Sequence, residues 1–536
     1  MNRVKVILIQ PITIFSKKFD YGNTPLYHLL TMASYLDLLR KKDSLKIDIE
    51  IINLLDEKIK RSMNIEELNE YIKDLISFFS RYNDGSNLIF GISFFSTNYY
   101  LSGILLGKIL RFLYPKSIIC CGGYHVNFFP NDFIFPNYKF GFKINQKIFD
   151  YIFLGEADKE FGNLIKSLIY NNKINSRFDQ PTFIINCGKI EDLDSLPPVD
   201  FSLMNYKHQY IFFIPLLFSR GCPFNCNFCG DFRNNDPNFK KKKWRMHSPN
   251  YAINELISTT KFFDSLNYKY QILIFDPLFT YPQWRKKFYE RLIQINFKEE
   301  LWAEIRIDQF SIKQELDLVK KLNFSIAFGI ESGSKKILTI MNKTKYPELY
   351  LKRTIEVIEA LSNTNIYIIT NFIFGHPGEN LDTIMESCKF IDNLLYKKNN
   401  IIPSFAKYML TPGSEVYNNM SNYYKTYGTE FKYPYYWMIP KCYFLTSSAV
   451  NPSSSLTYKD IFKITSPYIT DKLKTQIKNL LSFDNRNFIY QRYLSNTIFK
   501  ELKHWKTIFS DLYIDIEDSN NLKEETISFW NFLSEI

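Results

Sequence analysis

Two successive series of strand-like and helix-like segments dominate this chain, and such alternation admits few folds. In the first series the strand candidates are short, continuous apolar runs, the pattern of parallel strands buried on both faces. They are "VKVILIQP" (4–11), "KIDIEIINLL" (46–55), "LIFGISFF" (88–95), "SIICCGGYH" (117–125) and the start of "YIFLGEADKEFGNLIKSLI" (151–169). Segments with apolar residues at helical spacing separate them. One, "PLYHLLTMASYLDLLRKK" (25–42), ends in the basic residues that suit a helix carboxyl terminus. The expectation is an α/β fold, with a doubly wound parallel sheet in a first domain over residues 1–185. Ligands of such sheets bind at the carboxyl ends of the strands. Those ends carry Pro11, Ser93, Gly122, Gly123, Gly155 and Glu156.

An acidic, proline-containing stretch, "IEDLDSLPPVDFSLMN", interrupts the pattern, and residues 186–205 are read as an ordered linker. The second series follows, with strand candidates at 211–219, 270–276, 301–307, 324–332, 366–375 and 403–412. Six strand–helix units over residues 206–415 predict a curved partial barrel with its chemistry on the loops after the strands. Beyond that, residues 416–536 read as mainly helical and are assigned to the substrate side. Their aromatic stretch, with Tyr433, Tyr435, Tyr436 and Trp437, suits either ordinary core or the lining of a pocket.

At 536 residues and 63.8 kDa the chain is too large for one core, which agrees with this division. Apolar runs such as "YIFFIPLLF" (210–218) fall well short of the roughly 20 residues a membrane span needs. The amino terminus lacks a signal-peptide pattern, so a cytoplasmic protein without membrane contact is expected. The formal charge of +12 is dispersed apart from Lys240–Lys243, which reads as a solvated loop, so nucleic-acid binding is not expected.

Within "SRGCPFNCNFCG" (219–230), Cys222, Cys226 and Cys229 fall on one loop directly after the first barrel strand. Iron–sulfur clusters and zinc share thiolate ligands. A structural zinc site is closed by four ligands, and the nearest further candidate, His247, stands 18 residues downstream of Cys229. Three thiolates on a four-iron cubane leave one iron open.

This spacing, with Phe228 before the last cysteine, resembles the radical S-adenosylmethionine (SAM) superfamily. The resemblance implies a 4Fe-4S cluster whose open iron is chelated by SAM, and SAM cleavage to a 5′-deoxyadenosyl radical. It also assigns residues. "FDPLFTYPQWRKKF", with Asp276, is similar to the segment near the methionine moiety, and Arg306 of "WAEIRID" would meet the cosubstrate's carboxylate. Glu331 of "FGIESGSKKILTIMNK" would contact the ribose, next to Ser332, and Gly375 of "NFIFGHPGEN" would border the adenine. "LTPGSEVY" matches the sixth-strand ending. A structural salt bridge for Arg306, a helix cap for Glu331 and a simple turn for Gly375 are the alternatives.

"GISFF", "CGGYH", "LGEADKEF" and the linker "DLDSLPPVDF" are similar to the Rossmann-like cobalamin-binding (B12) domain of one branch of that superfamily. Ser93, Gly122, Gly123, His125, Gly155 and Glu156 would then face cobalamin. No Asp-x-His-x-x-Gly motif is present, which implies a cobalt without a protein histidine below it. For His125, cobalt ligation, contact with the corrin or its tail, and a structural role all stay open.

The resemblance implies a cobalamin-dependent radical methyltransferase acting on an unactivated carbon. The partners expected are a small-molecule or peptide substrate and an external one-electron reductant of flavodoxin or ferredoxin type. The alternatives are a cobalamin-assisted oxidoreductase or cyclase, and a methylthiotransferase. The last needs three further cluster cysteines, where this chain offers adjacent Cys120 and Cys121, with Cys187 beyond.

Overall fold

The computed structural model describes the chain except residues 1–2, 16–23, 58, 61–63, 65, 83–86, 135–146, 172–179, 207–212, 231–243, 363, 397, 442–445, 483–518 and 536. Lys240–Lys243 and Cys442 therefore lie outside the described residues.

The apolar runs of the first series become β1 (Val4–Gln10), β2 (Ile47–Asn53), β3 (Asn87–Ser93), β4 (Ile118–Gly122) and β5 (Tyr151–Gly155), joined by β6 (Phe183–Gly188). All six pair in parallel, in the order β2-β1-β3-β4-β5-β6. The chain reverses direction across the sheet between β1 and β3, the crevice where such sheets bind ligands. The sixth strand was not expected and runs past the anticipated end of the domain at residue 185. It is an edge strand whose Phe183 and Ile184 are exposed, so it lacks the buried apolar run that marked the others.

The second series gives β7 (Ile214–Leu216), a two-residue ribbon of β8 (Ser219–Arg220) and β9 (Arg245–Met246), and then β10 (Ile272–Ile274) and β11 (Leu301–Arg306). β12 (Phe324–Glu331), β13 (Ile368–Phe374) and β14 (Ile401–Lys407) complete it. β7 and β10–β14 form a parallel six-stranded sheet in chain order, with β7 and β14 at its edges, so the barrel is partial. β14 begins two residues earlier than the sequence suggested and carries Pro403 inside it; an edge strand tolerates the missing N–H.

Burial alternates along the barrel strands. Leu301, Ala303 and Ile305 of β11, like Ile368, Phe372 and Phe374 of β13, are buried among apolar neighbours. The residues between them (Trp302 and Glu304, Asn371 and Ile373) face the lumen and stay partly or fully open. A closed barrel fills that space with side chains; this one leaves it accessible.

One apolar core runs without interruption from one face of the first sheet, through the linker residues Val199, Phe201 and Met204, into the barrel. A second core covers the other face of the first sheet, and the carboxyl-terminal region completes it. Tyr436, Trp437 and Met438 are buried there, as are Phe529, Trp530 and Leu533 of the helix Ser519–Glu535. Trp437 donates its indole N–H to Asp132 at 3.0 Å and stacks on Phe129 at 4.5 Å. Of the two sequence readings of this aromatic stretch, ordinary core describes Tyr436 and Trp437. The helix Tyr458–Ser482 instead packs its aromatic residues against β14.

Truncating an aromatic residue of this size in a core costs about 3–5 kcal/mol. Trp437→Ala should therefore lower the denaturant midpoint of the amino-terminal domain; an unchanged midpoint would show that the carboxyl-terminal region does not support it.

Candidate active site

The carboxyl ends of the two sheets meet. Asp158, just beyond β5, receives Arg220 of β8 through two bonds of 2.8 and 3.0 Å. Glu156 receives Arg245 of β9 through bonds of 2.8 and 2.5 Å, Arg220 at 3.2 Å and the Ile190 amide at 3.0 Å. All four side chains are largely buried. Burial opposes ionisation of Glu156, but Arg245 and Arg220 outweigh it and hold the carboxyl below its ordinary range. Glu156 is therefore spent on the barrel, not left facing the strand ends as expected. A second contact lies beside β4, where the Tyr124 hydroxyl donates to Pro412 O at 3.0 Å. Gly413, just beyond Pro412, sits so close to Phe128 that a Cβ there would lie 1.9 Å from its ring, and a Cβ on Gly230 would lie 1.9 Å from the Tyr124 hydroxyl.

The cysteine loop leaves β8 at Gly221, immediately after the clamped Arg220. Asp276 fixes its approach by accepting the amides of Phe218 and Ser219 at 2.7 and 3.0 Å, a positioning role not foreseen for it. Asn227, between the cysteines, ties the loop to three other segments. Its amide donates to Ile340 O at 2.5 Å and to the Tyr423 hydroxyl at 2.7 Å, and its Oδ1 lies 3.0 Å from His376 Nε2. Both His376 ring nitrogens face acceptors, Nε2 towards Asn227 Oδ1 at 3.0 Å and Nδ1 towards Pro377 O at 2.8 Å, so a neutral ring donates to only one of them. Burial lowers the His376 pKa to about 3, so the ring is neutral; Phe228 packs edge-on against it at 6.3 Å. Neither Asn227 nor His376 was singled out in the sequence, although both lie inside quoted motifs.

Arg306 points at the same loop, with its Nη1 3.6 Å from Cys226 Sγ and its guanidinium 4.0 Å over the Phe224 ring. It is also bonded to Asp308 at 2.7 Å and to Lys343 O. Glu331 adopts φ of +75° at a bulge in β12 and pairs with Lys343 at 2.8 Å. The left-handed backbone turns its carboxylate towards the lumen, over Gly329, where a Cβ would lie 2.5 Å from Glu331 Oε1. Lys343, like Asn227, was missed. Ser332 instead bonds Ser387 and the Ser334 amide inside its own turn. Gly375 has φ of +88°, and its N–H donates to Glu379. A cavity of about 520 Å³ opens beside the loop, lined by Cys226, Cys229, Asn227, Thr339, Asn342 and Glu415 among others.

At the ends of the first sheet, Gly123 (φ +119°) passes so close to the Phe94 backbone that a Cβ would lie 2.6 Å away. Gly155 (φ +94°) meets Gly188 in the same manner. Ser93 is buried and Gly122 half-buried. His125 is fully buried among Tyr100, Phe129, Phe133 and Trp437, with Nε2 3.7 Å from Asp132; its surroundings favour the structural role. The surface at the β1/β3 crevice belongs instead to the exposed Phe95, stacked on His28 at 4.6 Å, with His28 Nε2 3.0 Å from Gln10 Oε1. None of these three was singled out in the sequence, although Phe95 ends the quoted "GISFF".

Among the described residues, no three His, Cys, Asp or Glu groups converge as ligands of a single ion would. A cubane does not require that, since each of its cysteines binds a different iron. Three cysteines outside any disulfide within eight positions, beside a cavity and a guanidinium, fit such a cluster. Residues 216–391 match the radical SAM superfamily. The chain carries a radical SAM domain. It is 24% identical over 419 residues to an uncharacterized methyltransferase of Pyrococcus horikoshii, covering 74% of this chain and 79% of that protein. It is 26% identical over 319 residues to the bacteriochlorophyllide d C-8(2)-methyltransferase of Chlorobaculum tepidum, covering 56% of this chain and 62% of the relative. It shares its fold with the cobalamin-dependent SAM radical enzyme OxsB, solved with aqua-cobalamin bound, at a TM-score of 0.59 and 16% identity over 99% of this chain and 80% of that one. Among the described residues no helix is long and apolar enough to cross a membrane.

Glu379 gives this radical SAM domain a pH signature. Burial raises its pKa to about 8, against partial relief from the Gly375 and His376 amides. The folded state thus keeps a proton that the unfolded chain releases near pH 4–5, so stability falls as pH rises through that interval up to about 8. Glu379→Gln keeps the acceptor for Gly375 N and should flatten the profile between pH 5 and 8, measured as denaturant midpoint against pH; an unaltered slope would contradict the assignment.

Proposed function

We propose that this protein is a cobalamin-dependent radical SAM methyltransferase acting on an unactivated carbon. The observation that carries the reading is the docking of the first sheet's carboxyl ends on the barrel: Glu156 and Asp158, beyond β5, bind the ribbon from which the cysteine loop leaves, and Tyr124, beyond β4, bonds Pro412. Relatives named as methyltransferases support it. When bound, a 4Fe-4S cluster with SAM supplies a 5′-deoxyadenosyl radical for hydrogen abstraction, and cobalamin supplies the methyl group.

Cys222, Cys226 and Cys229 would hold the cluster, and Arg306, already directed at Cys226, would neutralise charge there and meet the cosubstrate's carboxylate. Lys343 holds the Glu331 carboxylate, aimed at the lumen, where it would accept a ribose hydroxyl. Asn227 and His376 hold the loop in place. For cobalamin, the exposed Phe95 ring suits a flat macrocycle, and the compact ends at Ser93, Gly122, Gly123 and Gly155 let it approach the backbone. A methylthiotransferase finds no support: Cys120 and Cys121 are buried and burial pushes both thiols well above the usual range, opposing the thiolate a second cluster needs.

The decisive reaction uses methyl-labelled SAM, reductant and substrate. Label in a product heavier by one methylene supports methyl transfer, whereas a product without label indicates the oxidoreductase or cyclase reading. Replacing any one of the three cysteines by Ala should abolish cluster retention and 5′-deoxyadenosine formation while cobalamin binding survives. Glu331→Ala should keep the cluster and weaken SAM binding by roughly ten- to a hundredfold, the worth of a hydrogen bond to a charged acceptor. A cysteine variant that kept its iron, or a Glu331 variant with normal SAM affinity, would remove the respective assignment.

A further inference from the structure

The barrel lumen contains a carboxylate that the cluster and cosubstrate assignments do not use. Glu304 sits in the middle of β11 on the lumen side, two residues before Arg306, in register with Ala327 of β12. It is exposed, yet within the described residues it makes no ion pair and no side-chain hydrogen bond. The charges around it are already matched: Lys343 is bonded to Glu331, and Arg306 to Asp308. One negative charge is left over inside the barrel. Enclosure first, and Glu331 second, hold its carboxyl above the ordinary range, with Lys343 pulling the other way. Such a group gains by meeting a cation.

The rest of the lumen is equally unspent. Asn371 of β13 and Ser404 of β14 are register partners on the lumen side, half-open, with no side-chain hydrogen bond among the described residues. Trp302, on the same side of β11, has a buried indole N–H without a partner. Phe275, which follows β10, leaves its ring 48% exposed. An apolar wall with a few unpaired polar groups, one of them charged, is how a small-molecule site is built. Ala327, opposite Glu304, leaves the room.

We propose that Glu304 is the substrate-recognition carboxylate of this lumen, and that the substrate carries a primary ammonium group that Glu304 accepts, with Asn371 and Ser404 binding neighbouring polar atoms. The proposal rests on the reading of the barrel as the substrate site of a radical SAM enzyme, and extends it to the substrate's chemical class. A neutral or anionic substrate would leave Glu304 desolvated without a partner.

Matched pairs test it: tryptamine against tryptophol, and n-hexylamine against n-hexanol, which differ in the ammonium alone. Binding to the full-length, anaerobically reconstituted protein with SAM present is followed by saturation-transfer NMR, for the wild type and Glu304→Gln. The expected result is a preference for the amine of about ten- to a hundredfold in at least one pair, lost in Glu304→Gln. SAM affinity, measured separately, should not differ between the two proteins. No amine preference in the wild type, or a preference that survives the substitution, overturns the proposal. So does a fall in SAM affinity in Glu304→Gln, which would hand the carboxylate to the cosubstrate. Failure of methyl transfer itself would show as unlabelled product in the preceding experiment, with the amine preference intact.

Discussion

A buried ion cluster sets the geometry on which the rest depends. Arg220 and Arg245 come from the short ribbon at the mouth of the barrel, and Glu156 and Asp158 from the turn that leaves the first sheet. Removing one partner from such a group typically costs about 3–5 kcal/mol, because the charge left behind stays buried. The arrangement is therefore all-or-none: both domains are docked with their strand ends facing, or the cluster is not formed. Gly221 and Cys222 follow Arg220 directly, so the same ion pairs that dock the domains also place the first thiol.

From that anchor, fixed positions propagate by hydrogen bonds. Asp276 holds the chain before the ribbon, Asn227 holds it between the second and third cysteines, and His376 connects Asn227 to the loop after β13. Each is buried and bonded to other parts of the protein. The lumen-facing groups do the opposite. Among the described residues, Glu304, Asn371 and Ser404 have no side-chain partner, and Glu331 is paired with Lys343. Groups committed to the scaffold and groups left for ligands thus occupy separate places, as preorganised sites require.

Much of this was readable in the sequence, for identifiable reasons. All six barrel strands follow from apolar runs, since the side packed on the helices is buried and leaves a local signature. The cysteine spacing pointed to a cluster because ligands on one loop are a local feature too. What failed to show was long-range. Glu156 looked like a strand-end ligand because its partners, Arg220 and Arg245, lie 64 and 89 residues away. Trp437 suited either ordinary core or a pocket lining, and only the folded chain reveals that it stacks on Phe129. β6 was invisible because an edge strand with exposed Phe183 and Ile184 lacks the pattern of buried neighbours. The lumen residues carried no signal beyond their period of two, and Glu304 became notable only when its neighbours proved to be paired with each other.

The central proposal is that cluster and cobalamin would be held at a fixed separation by the docked strand ends of the two sheets. Pulsed electron paramagnetic resonance on protein carrying both a reduced 4Fe-4S cluster and cob(II)alamin measures this directly, because dipolar coupling between the two spins reports their separation. The account predicts a resolved coupling with a single narrow distance, broadened or lost when Arg245 is replaced by Met. Two full-intensity spin signals with no coupling between them would contradict it.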